Sequence, residues 1–206
     1  MHNNENQFIL QGFLRIINQF LPVLFWITLI LGFEEPSVAC LTILSALIHE
    51  FGHIAYLKLR GHGKAKLRGV LSGFRIAPST QLTYAEETML YLSGPLANVC
   101  AAMLCSLFQG EWASLLCTLN VATAVSNLLP VEGYDGYGAL RSLAERRNPI
   151  GIGTRLLDIT SSAIIFSFCI LSIYFIDRFG EGYWIFAVFF VSMIRQLDKW
   201  LKIQNP

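Results

Sequence analysis

Runs of about twenty apolar residues recur along the chain, separated by short polar segments. In hydrocarbon every backbone N–H and C=O must be bonded within its own segment, so each run predicts a spanning helix roughly 30 Å long. Six are predicted, over 13–33, 37–59, 89–109, 112–130, 157–176 and 183–197. The last is the shortest, but Tyr183, Trp184 and Trp200 stand where aromatic residues gather at a membrane interface. Between the second and third spans, 62–80 is too polar to cross. It holds the β-prone stretches Val70-Leu71 and Phe74-Arg75-Ile76, with Gly69 and Gly73 for turns. The pattern predicts an all-α integral membrane protein of six transmembrane helices, with a short β-hairpin-like, membrane-associated segment between helices two and three. Even spacing and short loops, with no repeat or linker, make 1–206 a single membrane-embedded domain.

Composition agrees. Apolar types make up 54% of the 206 residues and charged types 14%, against roughly 25% charged in a soluble domain. Such a chain cannot cover a soluble globule with polar groups, and it is too apolar for disorder. With 16 Gly and five Cys in this length, neither collagen nor a disulfide scaffold fits. Cys40, Cys100, Cys105, Cys117 and Cys169 lie in apolar stretches without metal-binding spacing, as small buried residues in a reducing setting. A net charge of +1 offers no field for nucleic acid.

The basic residues also orient the chain, because Lys and Arg are retained on the cytoplasmic side. With both termini inside, all fifteen Lys and Arg except Arg178 fall on inner segments, while Glu34, Glu35, Glu111, Asp177 and Glu181 occupy outer turns. Ser37-Val38-Ala39 ahead of Cys40 resembles a cleavage site. The apolar region before it is too long for a typical signal and its start nearly uncharged, so no cleavage is expected.

Within the second span lies His49-Glu50-Phe51-Gly52-His53, an H-E-x-x-H pattern. On a helix, residues i and i+4 share a face, so both imidazoles can reach one ion, with Glu50 beside a water on it. Zinc lowers the pKa of such a water towards about 7, and Glu50 can take the proton and pass it to a leaving amine. Ionisable groups at this depth are costly and mark function. Catalytic zinc usually has three protein ligands. Asp135 is a candidate for the third, in an irregular turn after the fourth span ends at Pro130, although Asp-Gly is also a common turn dipeptide. Glu132 and Asp158 are further contenders. Asn120 and Asn127 lie in the fourth span, where an amide needs a partner; helix packing accounts for Asn120. His2 and His62 read as solvated, and the aromatics from Phe166 to Phe190 as lipid-facing bulk.

Together these residues resemble the site-2 protease family of intramembrane zinc metalloproteases. The likeness rests on the H-E-x-x-H pentad, on Ser93-Gly94-Pro95-Leu96-Ala97-Asn98 in the third span, and on Asn127-x-x-Pro130-x-x-x-x-Asp135-Gly136. It spans the core from the second to the fourth helix, a catalytic region of about 37–140. The resemblance implies one zinc ion on His49, His53 and Asp135, Glu50 as the base, and Asn127 holding the substrate chain near the metal. It also favours strand addition of an unwound substrate onto 62–80, against a plain basic loop touching anionic lipid.

A plan of six spans, with the pentad in span two, most resembles a bacterial branch of that family that releases a membrane-tethered sigma factor. The chain ends soon after the sixth span, leaving no room for that branch's nucleotide-sensing domain, and no loop would hold a PDZ domain. The expected protein is a multi-pass protease of the bacterial cytoplasmic membrane, its site facing the cytoplasm. Its partners would be a membrane-anchored client, the lipid bilayer and a regulatory membrane protein. Serine and aspartyl intramembrane proteases fit less well. Tyr91 stands where Gly-x-Ser-Gly needs its first Gly, and Asp158 lacks a Gly-x-Gly-Asp context. A metal transporter would need polar stations along a path. A catalytically silent client-binding relative is the remaining alternative.

Overall fold

The computed structural model describes residues 28, 32, 34–62, 65–70, 73–78, 81–147, 151–180 and 183–204. The first predicted span, 13–33, and His2 lie outside the described residues apart from Thr28 and Gly32, both helical. Among the described residues the elements are α1 (Pro36–Leu59), β1 (Ala65–Val70), β2 (Gly73–Pro78), α2 (Tyr84–Cys105), α3 (Glu111–Asn127), α4 (Asp135–Arg147), α5 (Ile152–Phe179) and α6 (Tyr183–Gln204). Of these, α1, α2 and α5 are long and apolar enough to cross a membrane, as a membrane protein requires. The helices form two compact units. One comprises the described residues up to Thr83 with Ser93–Ser126; the other comprises Tyr84–Leu92 and Asn127 onwards.

In the first unit, α1 opens with Pro36 at its first position, where the missing N–H costs nothing. Its buried stripe is Ala39, Ser45, His49, Gly52, His53 and Leu57, while Leu47 and Phe51 are 56% and 67% exposed. That distribution inverts the soluble rule. Where the solvent is hydrocarbon, Leu and Phe face outwards and small or polar residues make the helix contacts. After α1, β1 and β2 pair antiparallel, Ala65 opposite Pro78 and Val70 opposite Gly73, and β2 runs beside α1. The two-residue connection 71–72, with Leu71 of the expected β-prone stretch, lies outside the described residues.

In the second unit α5 and α6 pack through Ile165, Cys169 and Phe189, joined by Val131 from the turn before α4, with the rings of Phe168 and Phe189 stacked 4.4 Å apart. Gly180 ends α5 in the left-handed region at φ 71°, its N–H bonded to the Ile176 carbonyl. The Ser161 hydroxyl accepts from the Glu132 N–H at 2.8 Å and from Gln196 Nε2 at 3.2 Å, tying the segment before α4 to both long helices.

Two expectations are corrected here. α3 ends at Asn127 rather than Pro130, because the residue before a proline resists the helical conformation and the chain turns from Leu128 onwards. Asp135 is not in an irregular turn but is the first residue of α4, a helix missing from the expected set because it is too polar to register as a span.

Candidate metal centre

The H-E-x-x-H pentad sits in the middle of α1, and the helical period does what its spacing demands. His49 and His53 are 5% and 7% exposed, and their Nε2 atoms lie 3.2 Å apart. Two nitrogens bound to one tetrahedral zinc at about 2.0–2.1 Å would be about 3.3–3.4 Å apart. The rings stand nearly perpendicular, at 82°, with both Nε2 atoms on the shared side. The pair therefore suits a zinc ion.

Each ring is held at its other nitrogen by the part of α2 from Ser93 onwards. His49 Nδ1 lies 2.8 Å from Asn98 Oδ1, and His53 Nδ1 lies 3.3 Å from the Ser93 hydroxyl. Such bonds at the far nitrogen fix the orientation of a ligating imidazole and raise its basicity. Close approach of the backbones makes them possible. A Cβ on Gly52 would run into the Ser93 carbonyl and, at 2.7 Å, the Ala97 Cβ. One on Gly94 would overlap Cε1 of His49 and both Cε1 and Nε2 of His53. Glycine at both places is thus a packing requirement, stronger than the Gly94-Pro95 pair suggests by itself.

Further along the same interface the polar contacts continue. Asn98 Nδ2 donates to the Ser45 carbonyl at 2.9 Å and to Asn120 Oδ1 at 2.8 Å, and Asn120 Nδ2 donates to the Leu116 carbonyl at 2.8 Å. The Ser45 hydroxyl bonds the Thr123 hydroxyl at 2.9 Å. Asn98 was legible only as a motif position and Ser45 not at all. Their partners lie on other helices, and only the presence of amides within apolar segments hinted at a role.

Glu50, half-buried, occupies α1 between the two histidines. Asp135 is the half-buried first residue of α4, where a carboxylate also complements the positive helix end. Its neighbour Gly136 has no room for a Cβ beside the Leu128 carbonyl, so the start of α4 is pressed onto the turn before it. Asn127, half-buried, is the last residue of α3. Asp158 on α5 accepts a hydrogen bond from the Tyr137 hydroxyl of α4, a structural use for this contender. Glu132 lies in the turn between α3 and α4, its backbone N–H on Ser161.

No protein-family model matches the chain, and no curated protein does. Among solved structures it is similar to the site-2 protease from Methanocaldococcus jannaschii, with a TM-score of 0.59 and 17% identity over 88% of this chain and 87% of that one. At that identity the likeness speaks for the fold, which this chain shares with a site-2 protease over nearly its whole length.

Proposed function

We propose that the chain is an intramembrane zinc endopeptidase, hydrolysing a peptide bond in or near the transmembrane segment of a membrane-anchored client. The observation that carries this is the pair of buried imidazoles, Nε2 to Nε2 at 3.2 Å, each secured at Nδ1. The pentad's spacing, its combination with the two further motifs, and the fold shared with a site-2 protease support it. His49 and His53 hold the ion, and Asp135 supplies the third ligand. Bound zinc supplies a Lewis acid and makes a water acidic near neutral pH.

The remaining steps belong to the chain's own groups. Glu50 accepts a proton from the attacking water as its oxygen adds to the scissile carbonyl carbon. The same carboxyl then returns that proton to the amine as the C–N bond breaks. Asn127 offers amide hydrogen bonds to the substrate backbone. A peptide bond inside a helix is shielded by its own hydrogen bonds, so the client must unwind, and an edge of the β1–β2 hairpin accepts it as an added strand. The site faces the cytoplasm, and the client is a tethered regulator such as a sigma-factor precursor.

Co-expression with tagged single-span clients tests this. The parent is expected to produce a shorter client fragment and Glu50→Gln to produce none while retaining zinc. Identical fragments from both would dismiss the protease. Zinc retained with cleavage by neither, across the client panel, would favour a silent client-binding relative. Asp135→Asn should lower zinc content, and an unchanged content would move the third ligand elsewhere.

A further inference from the structure

The hydrogen bonds behind His49 have a direction. Asn120 and Asn98 are both fully buried, so neither amide can turn to water to satisfy itself. The Leu116 carbonyl can only accept, so Asn120 must face it with Nδ2, leaving Asn120 Oδ1 towards Asn98. Asn98 meets that oxygen and the Ser45 carbonyl, two acceptors, with its own Nδ2. The Ser45 carbonyl also serves α1's internal bonding, and its second lone pair takes the amide. What Asn98 presents to His49 is therefore Oδ1, at 2.8 Å from Nδ1. An amide oxygen cannot donate, so His49 must carry its proton on Nδ1. Its Nε2 is left with a lone pair, pointing to the side it shares with His53 Nε2.

We propose that Asn98 and Asn120 are positioning residues for the metal centre: a two-amide relay, anchored on the Leu116 and Ser45 backbone carbonyls, that selects the Nδ1–H tautomer of His49 and presents its Nε2 to the ion. Reversing either amide would set oxygen against a carbonyl oxygen, which is why the relay runs one way. The Ser93 hydroxyl meets His53 at Nδ1, 3.3 Å away, whereas the tautomer of His49 is dictated from α2 and α3. The relay bears on metal binding only insofar as His49 is a zinc ligand, as proposed above.

Full-length protein with 15N-labelled histidine, purified in detergent, tests the relay in four forms: parent, Asn98→Leu, Asn98→Asp and Asn120→Leu. Zinc content and affinity are measured by chelator competition, and the His49 tautomer is read from its ring 15N shifts after zinc removal. Asn98→Leu removes the acceptor at similar volume and is expected to weaken zinc binding 10–100-fold, with His49 leaving the Nδ1–H form. Asn98→Asp keeps an oxygen facing Nδ1 but sets its other oxygen against the Ser45 carbonyl and Asn120 Oδ1, so zinc affinity falls here too while His49 keeps the Nδ1–H form. Asn120→Leu frees one end of the relay while the Ser45 carbonyl still orients Asn98, so a loss of several-fold is expected.

A role in helix packing alone predicts that Asn98→Leu keeps parent-like zinc affinity and His49 15N shifts, and that outcome overturns the relay. So does a parent His49 carrying its proton on Nε2. Should Asn98→Leu fail to fold, Asn120→Leu decides, and parent-like affinity and 15N shifts in it refute the proposal. A parent with His49 in the Nδ1–H form but without stoichiometric zinc would sustain the relay and remove the zinc endopeptidase reading instead.

Discussion

Gly94 has no side chain because the two imidazoles lie where one would go. An alanine there would gain up to about 1 kcal/mol of helix propensity, so any loss in Gly94→Ala reports the collision and not a weakened helix. Zinc affinity is expected to fall at least ~10-fold, the scale of a disturbed shell around a ligand, while far-ultraviolet circular dichroism stays at the parental level. Unaltered zinc affinity would mean the rings need not sit as close to α2 as they do here. The pentad itself was legible in the sequence, because i and i+4 face the same way on any helix. Gly94, Asn98 and Asn120 acquire their roles only from what another helix brings to them, and from the sequence Asn120 reads as packing alone.

At the scale of elements, α4 shows why apolar runs do not find every helix. It carries Asp135 in its first turn and Arg146 and Arg147 in its last, complementing both ends of the helix dipole. Arg141 and Glu145 pair at 2.8 Å one turn apart, worth a few tenths of a kcal/mol. The helix was hidden because Asp-Gly reads as a turn and because the segment is polar.

It is tied to α5 by the hydrogen bond from Tyr137 to Asp158. Burial first, then that bond and the carboxylate's charge, raise the phenol well above its usual value near 10. The folded state thus binds the phenolic proton more tightly than the unfolded chain. Its contribution is complete below about pH 10 and fades as pH climbs through the raised folded value. Tyr137→Phe should cost about 1–2 kcal/mol in denaturation of the detergent-solubilised protein at neutral pH. The gap between parent and variant should narrow above pH 10. A gap that is constant or widening with alkali would show that the hydroxyl is not what joins the two helices.

On the scale of the whole molecule, the solvent decides which residues turn outwards. α5, with 28 residues, reaches about 42 Å and exceeds a hydrocarbon core of about 30 Å, whereas α3, with 17, reaches about 26 Å. The first must tilt or emerge from the bilayer. We propose that the distribution of Lys and Arg orients these helices with both termini in the cytoplasm, which labelling can check directly. In a background with the five cysteines replaced, Arg60→Cys at the end of α1 should react with an impermeant thiol reagent only from the cytoplasmic side. Arg178→Cys in the last turn of α5 should react only from the opposite side. Labelling of both from one face would dismantle the six-span plan, and labelling of each from the other side would reverse it.

Hydrophobic run length and helical period are local properties, and from them alone followed the apolar helices and the placing of His49 and His53 on one face. Neither depends on what lies across a helix interface. The tertiary structure decided the rest: that Gly52 and Gly94 let two backbones close up, that Asn98 turns an oxygen to His49, and that Asp135 starts a helix. The first two are set by the separation and rotation of helices, which no window of neighbouring residues encodes. In a membrane they matter more than hydrophobicity, because lipid already solvates Leu and Phe and leaves close packing and hydrogen bonds to choose the arrangement.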